Sequence, residues 1–218
     1  MITVTTLIPT CIYPKYRELK NVNTMQQSTP SLTKLFLSVT LTFSLSISYG
    51  QNLAANWQEE LSIALEQFLE CTTTNSNNDE CRKFSGKSLN TLYAISDFYS
   101  EELGREYFVN EIAALVNNNK KWTLLGKAYE QEALTKAQAY ANSKKAAIAV
   151  YRDAAGVGMH VALILPGDLA ASGSWGFQVP NSASFFTNNP QKSFLNKSLS
   201  YAFAKNQIKD VVLYGREY

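Results

Sequence analysis

The segment Gly156-Val-Gly-Met-His-Val-Ala-Leu-Ile-Leu-Pro-Gly167 is the most informative stretch of this chain. It begins with glycines, continues as a run of apolar strand-forming residues and ends at a Pro-Gly pair, which is the pattern of a β-strand between two turns. His160 stands at the start of the strand and is the only histidine in the 218 residues. Residues 146–151, Ala-Ala-Ile-Ala-Val-Tyr, have the same composition. The sequence therefore predicts two neighbouring strands joined by a Gly- and Ala-rich turn.

The hydrophobic period changes after residue 142, and this change predicts the fold class. Apolar residues recur at helical spacing in most of the preceding chain, with one short extended piece at 121–125. The predicted helices are 52–70, 80–98, 110–116 and 128–142. Further strands are predicted at 175–179 and 210–214, while 182–194 is predicted to be mostly loop. Helices followed by antiparallel strands indicate an α+β domain.

Residues 1–50 have the character of an export signal. Lys34 precedes an apolar stretch, and the small residues Ser48 and Gly50 match a signal-peptidase site with cleavage before Gln51. The apolar stretch is short for a membrane span and is diluted by Ser and Thr. We therefore expect an exported protein, periplasmic or extracellular. An uncleaved anchoring segment is the alternative.

The rest of the chain, 51–218, is expected to be one domain. Residues before Met25 do not resemble the start of a signal peptide, so Met25 is a candidate translation start. Residues 51–218 are close to electrically neutral and contain no basic run, which argues against nucleic-acid binding. No stable membrane association is expected after cleavage, and no cofactor motif is present.

Cys81 and His160 are the residues that could carry chemistry. Cys81 follows the good N-cap types Asn78 and Asp79, so it is predicted to lie in the first turn of a helix. A helix N-terminus and a nearby imidazole both favour the thiolate, which is the nucleophilic form of cysteine. Histidine can also return a proton to a leaving amine near neutral pH. The pair predicts a thiol hydrolase, and a single histidine excludes a histidine-rich metal site.

A disulfide is the structural alternative for Cys81. Without the first 50 residues the chain contains two cysteines, Cys71 and Cys81, and paired cysteines in an exported protein commonly form a disulfide. On that hypothesis the protein is a non-catalytic secreted binding domain and His160 is structural.

The two segments together resemble a known family. Asn78-Asp-Glu-Cys-Arg-Lys-Phe84, the Gly158–Gly167 strand and Ser172-Gly-Ser-Trp-Gly176 are similar to the NlpC/P60 and CHAP cysteine peptidases and amidases, which have the papain-like fold. The resemblance implies N-terminal helices packed on a small antiparallel sheet. It also implies that Cys81 and His160 cleave an amide bond in peptidoglycan stem peptides, without a cofactor or metal. A peptidase acting on proteins is the near alternative.

This sequence departs from the family pattern around both residues. Glu80 and Arg82 flank the cysteine, where the family usually has Asp and Ser, and Met159 precedes the histidine. A third departure concerns the residue that orients the imidazole, because the place of the catalytic Asn of papain-like peptidases is occupied by Gly173.

Three polar residues are candidates for that third position. If the chain folds back as a hairpin from Pro166-Gly167, residues near Gln178 come opposite His160. The candidates are Gln178, Asn181 and Ser174.

Substrate contacts are assigned to two further residues, Trp175 and Asn78. The oxyanion is expected to be held by the backbone N–H of Cys81, with Asn75 or Asn78 as the second donor.

Overall fold

The structure is a computed structural model that describes residues 53–74, 79–156 and 159–218. The predicted signal peptide, the Met25 start, the oxyanion candidate Asn75 and the substrate and oxyanion candidate Asn78 lie outside the described residues. The helices are α1 (Trp57–Thr74), α2 (Phe84–Tyr93), α3 (Val109–Asn118) and α4 (Gln131–Asn142), with short 3₁₀ helices at Cys81–Lys83, Pro190–Lys192, Leu199–Tyr201 and Lys205–Gln207. Within these ranges, no helix combines the length and apolarity needed to cross a bilayer.

A six-stranded antiparallel sheet forms the centre of the described chain. Its strands are β3 (Trp122–Lys127), β4 (Ala147–Arg152), β5 (Met159–Ile164), β8 (Asn181–Ser184), β9 (Phe194–Ser198) and β10 (Val211–Arg216), in the spatial order β3-β10-β4-β5-β8-β9. Two small two-stranded sheets pair β1 (Tyr99–Ser100) with β2 (Arg105–Glu106), and β6 (Ala170–Ser172) with β7 (Phe177–Val179). The predicted α+β class is confirmed.

Helices cover both faces of the six-stranded sheet. Because side chains alternate along a strand, Val161 and Leu163 of β5 pack on one face with α1, α2 and α3, while Ala162 and Ile164 pack on the other face with α4. We call these the α1–α3 face and the α4 face. Burial on both sides explains why residues 161–165 form a continuous apolar run rather than an alternating one.

Two of the predicted elements differ in part from the structure. Residues 182–194 were expected to be mostly loop, but β8 and the start of β9 lie there and extend the main sheet. The strand expected at 175–179 is present as the shorter β7, which pairs with β6 in a separate small sheet. The β8 strand is not evident from the sequence because Ser182 and Ser184 are polar, although residues 182–184 are all buried.

The helix predicted over 80–98 is shorter than expected. The chain first makes the 3₁₀ turn Cys81–Lys83 and then α2, which ends at Tyr93. The C-cap residue Ala94 is in the left-handed conformation with φ of 48°. The other three predicted helices are confirmed, with boundaries that differ by a few residues.

A buried ion pair ties the last strand to the helical layer. The Arg216 guanidinium donates to both carboxylate oxygens of Asp97, with Nε–Oδ2 2.6 Å and Nη2–Oδ1 3.0 Å. The indole N–H of Trp122 donates to the same carboxylate at 3.0 Å. Burial alone would raise the pKa of Asp97, but the hydrogen bond and charge of Arg216 outweigh it and lower that pKa.

Candidate functional site

A groove of about 540 Å³ opens where β5 begins, and it collects residues from both halves of the chain. Its described lining includes Asp79, Arg82, Val109, Asn110, Tyr151, Met159, His160, Phe185, Phe186, Phe203 and Gln207. The segment around Cys81 and the strand of His160 therefore border one depression, although they are far apart in sequence. Four aromatic rings, an imidazole and a guanidinium make its surface chemically mixed.

His160 is held in place by contacts on the α4 face. Its Nε2 lies 2.5 Å from the hydroxyl oxygen of Ser184, which is fully buried. Its ring stacks on Phe186 with 4.3 Å between centroids and meets the edge of Phe203 at 5.5 Å. Burial lowers the pKa of His160 to about 4, so the imidazole is neutral near pH 7. A neutral ring can accept a proton, but it does not provide a positive charge to stabilise a thiolate.

Cys81 is bonded to Cys71 at the end of α1. The two Cα atoms are 5.8 Å apart, and Cys81 is only 1% exposed. Its sulfur therefore belongs to the hydrophobic core rather than to the surface of the groove. Cys81 also precedes α2 by a 3₁₀ turn, so it does not lie in the first turn of an α-helix as predicted.

The predicted Cys81–His160 pair is not formed in this structure. Among the described residues, no hydrogen bond joins the two side chains. Cys81 belongs to the core cluster of the α1–α3 face together with Val161, the neighbour of His160 in β5. Successive residues of a strand point to opposite faces, and the ring contacts of His160 are to Phe186 and Phe203, which pack on the α4 face. Met159, not His160, packs on the face of Cys81.

The residue after Cys81 contributes the charged wall of the groove. The Arg82 guanidinium contacts the Asp79 carboxylate at 3.3 Å and donates to the Asn110 side chain at 3.1 Å. It also lies over the ring of Phe108, 4.8 Å from its centroid. These contacts hold the cation at the edge of the groove while leaving it partly exposed.

The three candidates for orienting the imidazole lie elsewhere. The expectation that Gln178 comes opposite His160 is wrong: the partner of His160 is Tyr151, and Gln178 pairs with Ala171 in the small sheet. The reason is that the chain after Pro166-Gly167 forms that small sheet before it returns to the main sheet as β8.

The other predicted residues have structural partners of their own. The Asn181 amide donates to the backbone oxygen of Pro166 at 3.0 Å. The Ser174 hydroxyl lies 3.2 Å from that of Ser172. Trp175 is buried, and its indole N–H donates to the backbone oxygen of Phe203 at 3.2 Å. None of the three lies in the lining of the groove given above.

Ser184, the partner of His160, and Phe186, which lines the groove, were not predicted as site residues. The strand period of Asn181-Ser-Ala-Ser-Phe-Phe186 indicates both, because it places residues 182, 184 and 186 on one side and 183 and 185 on the other.

No family model matches this chain, and no curated protein matches it. Within the described ranges, no group of three or more His, Cys, Asp or Glu side chains is placed to hold a metal ion. The interpretation of the groove therefore depends on its own geometry.

Proposed function

We propose that the protein is an exported binding domain whose ligand site is the groove at the start of β5, and that the ligand is a peptide. The observation that carries this proposal is the position of the two reactive side chains. The Cys81 sulfur is consumed in a buried disulfide, and the neutral His160 ring is engaged by Ser184 and Phe186 on the other face of the sheet.

The lining of the groove supports a peptide as the ligand. Its aromatic rings offer a surface for an apolar side chain, and the amides of Asn110 and Gln207 match the donors and acceptors of a peptide backbone. The fixed Arg82 guanidinium suits a carboxylate, either terminal or on an acidic side chain. A volume of about 540 Å³ falls within the usual range of ligand sites.

The experiment uses His160 as a built-in reporter, because the only histidine gives one set of imidazole signals in an NMR spectrum. The purified protein is titrated with tripeptides that combine one aromatic and one acidic residue, and with the same peptides carrying an amide in place of the carboxylate. We expect the His160 signals to shift with the acidic peptides and to shift less with the amidated ones.

Arg82→Gln should weaken binding of the acidic peptides by about ten- to a hundredfold, since a charge-assisted hydrogen bond contributes about 1.5–3 kcal/mol. Lys87→Gln removes a cation outside the groove and is the matched control. If neither class of peptide moves the His160 signals, the binding proposal is wrong.

A thiol hydrolase is the second candidate, and one observation favours it. Asp79 and Arg82, on either side of Cys81, line the same groove as His160. An external dithiol would have to reduce the Cys71–Cys81 bond, giving two protein thiols and one oxidised reductant. The His160 ring would then have to leave Ser184 and turn towards the sulfur.

In that state the Cys81 sulfur would attack the amide carbon while His160 takes the thiol proton and passes it to the leaving amine. Water would then hydrolyse the resulting thioester and regenerate the thiol. By resemblance, the proposed substrate is a peptide bond of peptidoglycan stem peptides, and a protein substrate is the alternative.

Cys71→Ser separates the two candidates, because it frees Cys81 without added reductant. The assay measures alkylation of the thiol across pH 4 to 9, and amine release from purified cell-wall fragments. If the protein is a hydrolase, the Cys71→Ser variant should release amine and the Cys71→Ser/Cys81→Ser double variant should not. The low-pH alkylation should also be lost in Cys71→Ser/His160→Ala. If Cys81 in Cys71→Ser reacts only as a free thiol of pKa ~8.5 and no amine is released, the hydrolase candidate is excluded.

A further inference from the structure

A second depression of about 300 Å³ lies away from the groove, between the turn that joins β6 to β7 and the end of β9. Four serines contribute to its lining, Ser172 and Ser174 from the turn and Ser198 and Ser200 from the other side. We call it the serine cleft. Among the described residues that line it, none is charged.

The hydroxyls of the serine cleft are arranged in two pairs. The Ser172 and Ser174 oxygens are 3.2 Å apart, and those of Ser198 and Ser200 are 2.9 Å apart. The Ser172 hydroxyl also accepts a hydrogen bond from the backbone N–H of Trp175 at 3.2 Å. A hydroxyl has one donor and two acceptor positions, so Ser174, Ser198 and Ser200 keep hydrogen-bonding capacity after the contact within each pair. Each pair can therefore exchange hydrogen bonds with a ligand that itself carries several hydroxyls.

Tyr201 supplies an apolar surface beside these hydroxyls. Its side chain is 66% exposed although its ring is large, and it lines the cleft. Phe194 meets the ring edge-to-face at 6.2 Å between centroids, and the Lys197 ammonium lies 5.5 Å from the ring centroid. The ring is thus supported by neighbours before any ligand binds, which lowers the entropy cost of stacking on it.

From this combination we propose that the serine cleft binds a neutral saccharide. The C–H face of a sugar ring would pack on Tyr201 while its hydroxyls exchange hydrogen bonds with the paired serines. The described lining residues are themselves uncharged, which suits a neutral sugar, and the nearby Lys197 ammonium is directed at the Tyr201 ring. The proposal does not depend on the function of the groove.

Gly173 provides a way to block the cleft without straining the fold. A Cβ atom built on this residue meets no heavy atom within 4 Å, and its backbone is not in the left-handed region. Leucine at this position should therefore fold normally while its side chain fills the cleft.

The test titrates the isotope-labelled protein with chitotetraose, cellotetraose and maltotetraose, each to about 10 mM, and follows backbone amide shifts. At least one sugar should shift the amides of the cleft serines. Tyr201→Ala should weaken that binding about tenfold, because it removes the stacking surface. Gly173→Leu should abolish it, and Tyr201→Phe should retain most of it.

Tyr129→Ala is the matched control, since Tyr129 is also an exposed tyrosine (44%) but lies outside the cleft. Unchanged thermal midpoints of all variants establish that the fold is intact. The proposal is overturned if none of the three sugars binds, or if binding survives both Tyr201→Ala and Gly173→Leu.

Discussion

The two faces of the six-stranded sheet are stabilised differently. On the α1–α3 face, the Cys71–Cys81 disulfide and the Asp97–Arg216 ion pair add a covalent and an ionic cross-link to the packing of large apolar side chains. On the α4 face, small alanines pack against the alanines of α4, and polar groups such as Ser182 and Ser184 are buried in the sheet. The potential nucleophile lies on the cross-linked face, and the imidazole lies on the other.

This difference explains how a plausible catalytic pair becomes separated. A shift of one residue along a strand moves a side chain to the opposite face. In β5 the side chain on the face of Cys81 is that of Met159, and His160 follows it. A residue spacing that resembles a catalytic motif therefore does not place the side chains together unless the register of the strand agrees.

The largest loss in the free energy of unfolding is expected from Asp97→Asn, which removes the ionic cross-link of the α1–α3 face. The substitution leaves the Arg216 guanidinium buried without its counter-charge, and such a loss typically costs about 3–5 kcal/mol. Urea unfolding measures this loss of stability as a lower urea concentration at the unfolding midpoint. Asp168→Asn, on an exposed turn, should change the free energy of unfolding by less than about 0.5 kcal/mol. An equal cost for both variants would contradict the special role of the ion pair.

The next effect concerns the covalent cross-link. Cys71→Ser removes a disulfide between cysteines that are ten residues apart in sequence. Loss of a cross-link that closes a loop of this size is expected to lower the free energy of unfolding by about 2–3 kcal/mol. The measurement is the urea midpoint without reductant, compared with that of the wild-type protein in excess dithiothreitol. The two should agree, because both lack the same bond. Alkylation of Cys71 and Cys81 in the wild-type protein without reductant would show that the disulfide is absent in solution.

Much of the fold could be predicted from the sequence, because strongly periodic or continuous apolar segments determine it. Three of the helices and the strands 147–152, 159–164 and 211–216 follow from such patterns. The β8 strand could not be recognised by composition, since its buried residues include Ser182 and Ser184. Hydroxyls of this kind are tolerated inside because they find partners, and those partners are visible only in three dimensions.

The candidate site was predicted less completely than the fold. The sequence predicts that the Cys81 segment packs near the strand of His160, and both border the groove, but it does not predict the side to which each side chain points. Face assignment depends on strand register and on which helix covers which face. The contacts of Phe186 and Phe203 with the His160 ring also depend on strand register, because the sequence does not indicate which strands lie beside β5.

A smaller effect on stability is expected from the protonation of His160 on the α4 face. Burial lowers the pKa of His160 from 6.5 to about 4, so the unfolded chain takes up a proton at a higher pH than the folded protein does. The corresponding stability is present above pH 6.5 and is lost as the pH falls towards 4, by about 2 kcal/mol between pH 7.5 and pH 5.

Unfolding midpoints of the wild-type protein and His160→Gln across this interval measure the contribution as the difference between their slopes. The glutamine variant should lack this pH dependence. A wild-type slope equal to that of His160→Gln would mean that the imidazole titrates alike in both states.

The smallest effect isolates the one hydrogen bond that fixes the imidazole. Ser184→Ala leaves the Nε2 of His160 without its partner, and the expected cost is about 1 kcal/mol. Ser182→Ala is a close control: it is on the same strand, equally buried, and loses a hydrogen bond of 2.9 Å to the backbone oxygen of Lys197. Both variants should therefore lose similar stability, but only Ser184→Ala should move the His160 imidazole signals. If Ser182→Ala moves them as much, the ring is positioned by the packing of β8 as a whole, and the Ser184 hydroxyl has no separate part in holding His160 on the α4 face.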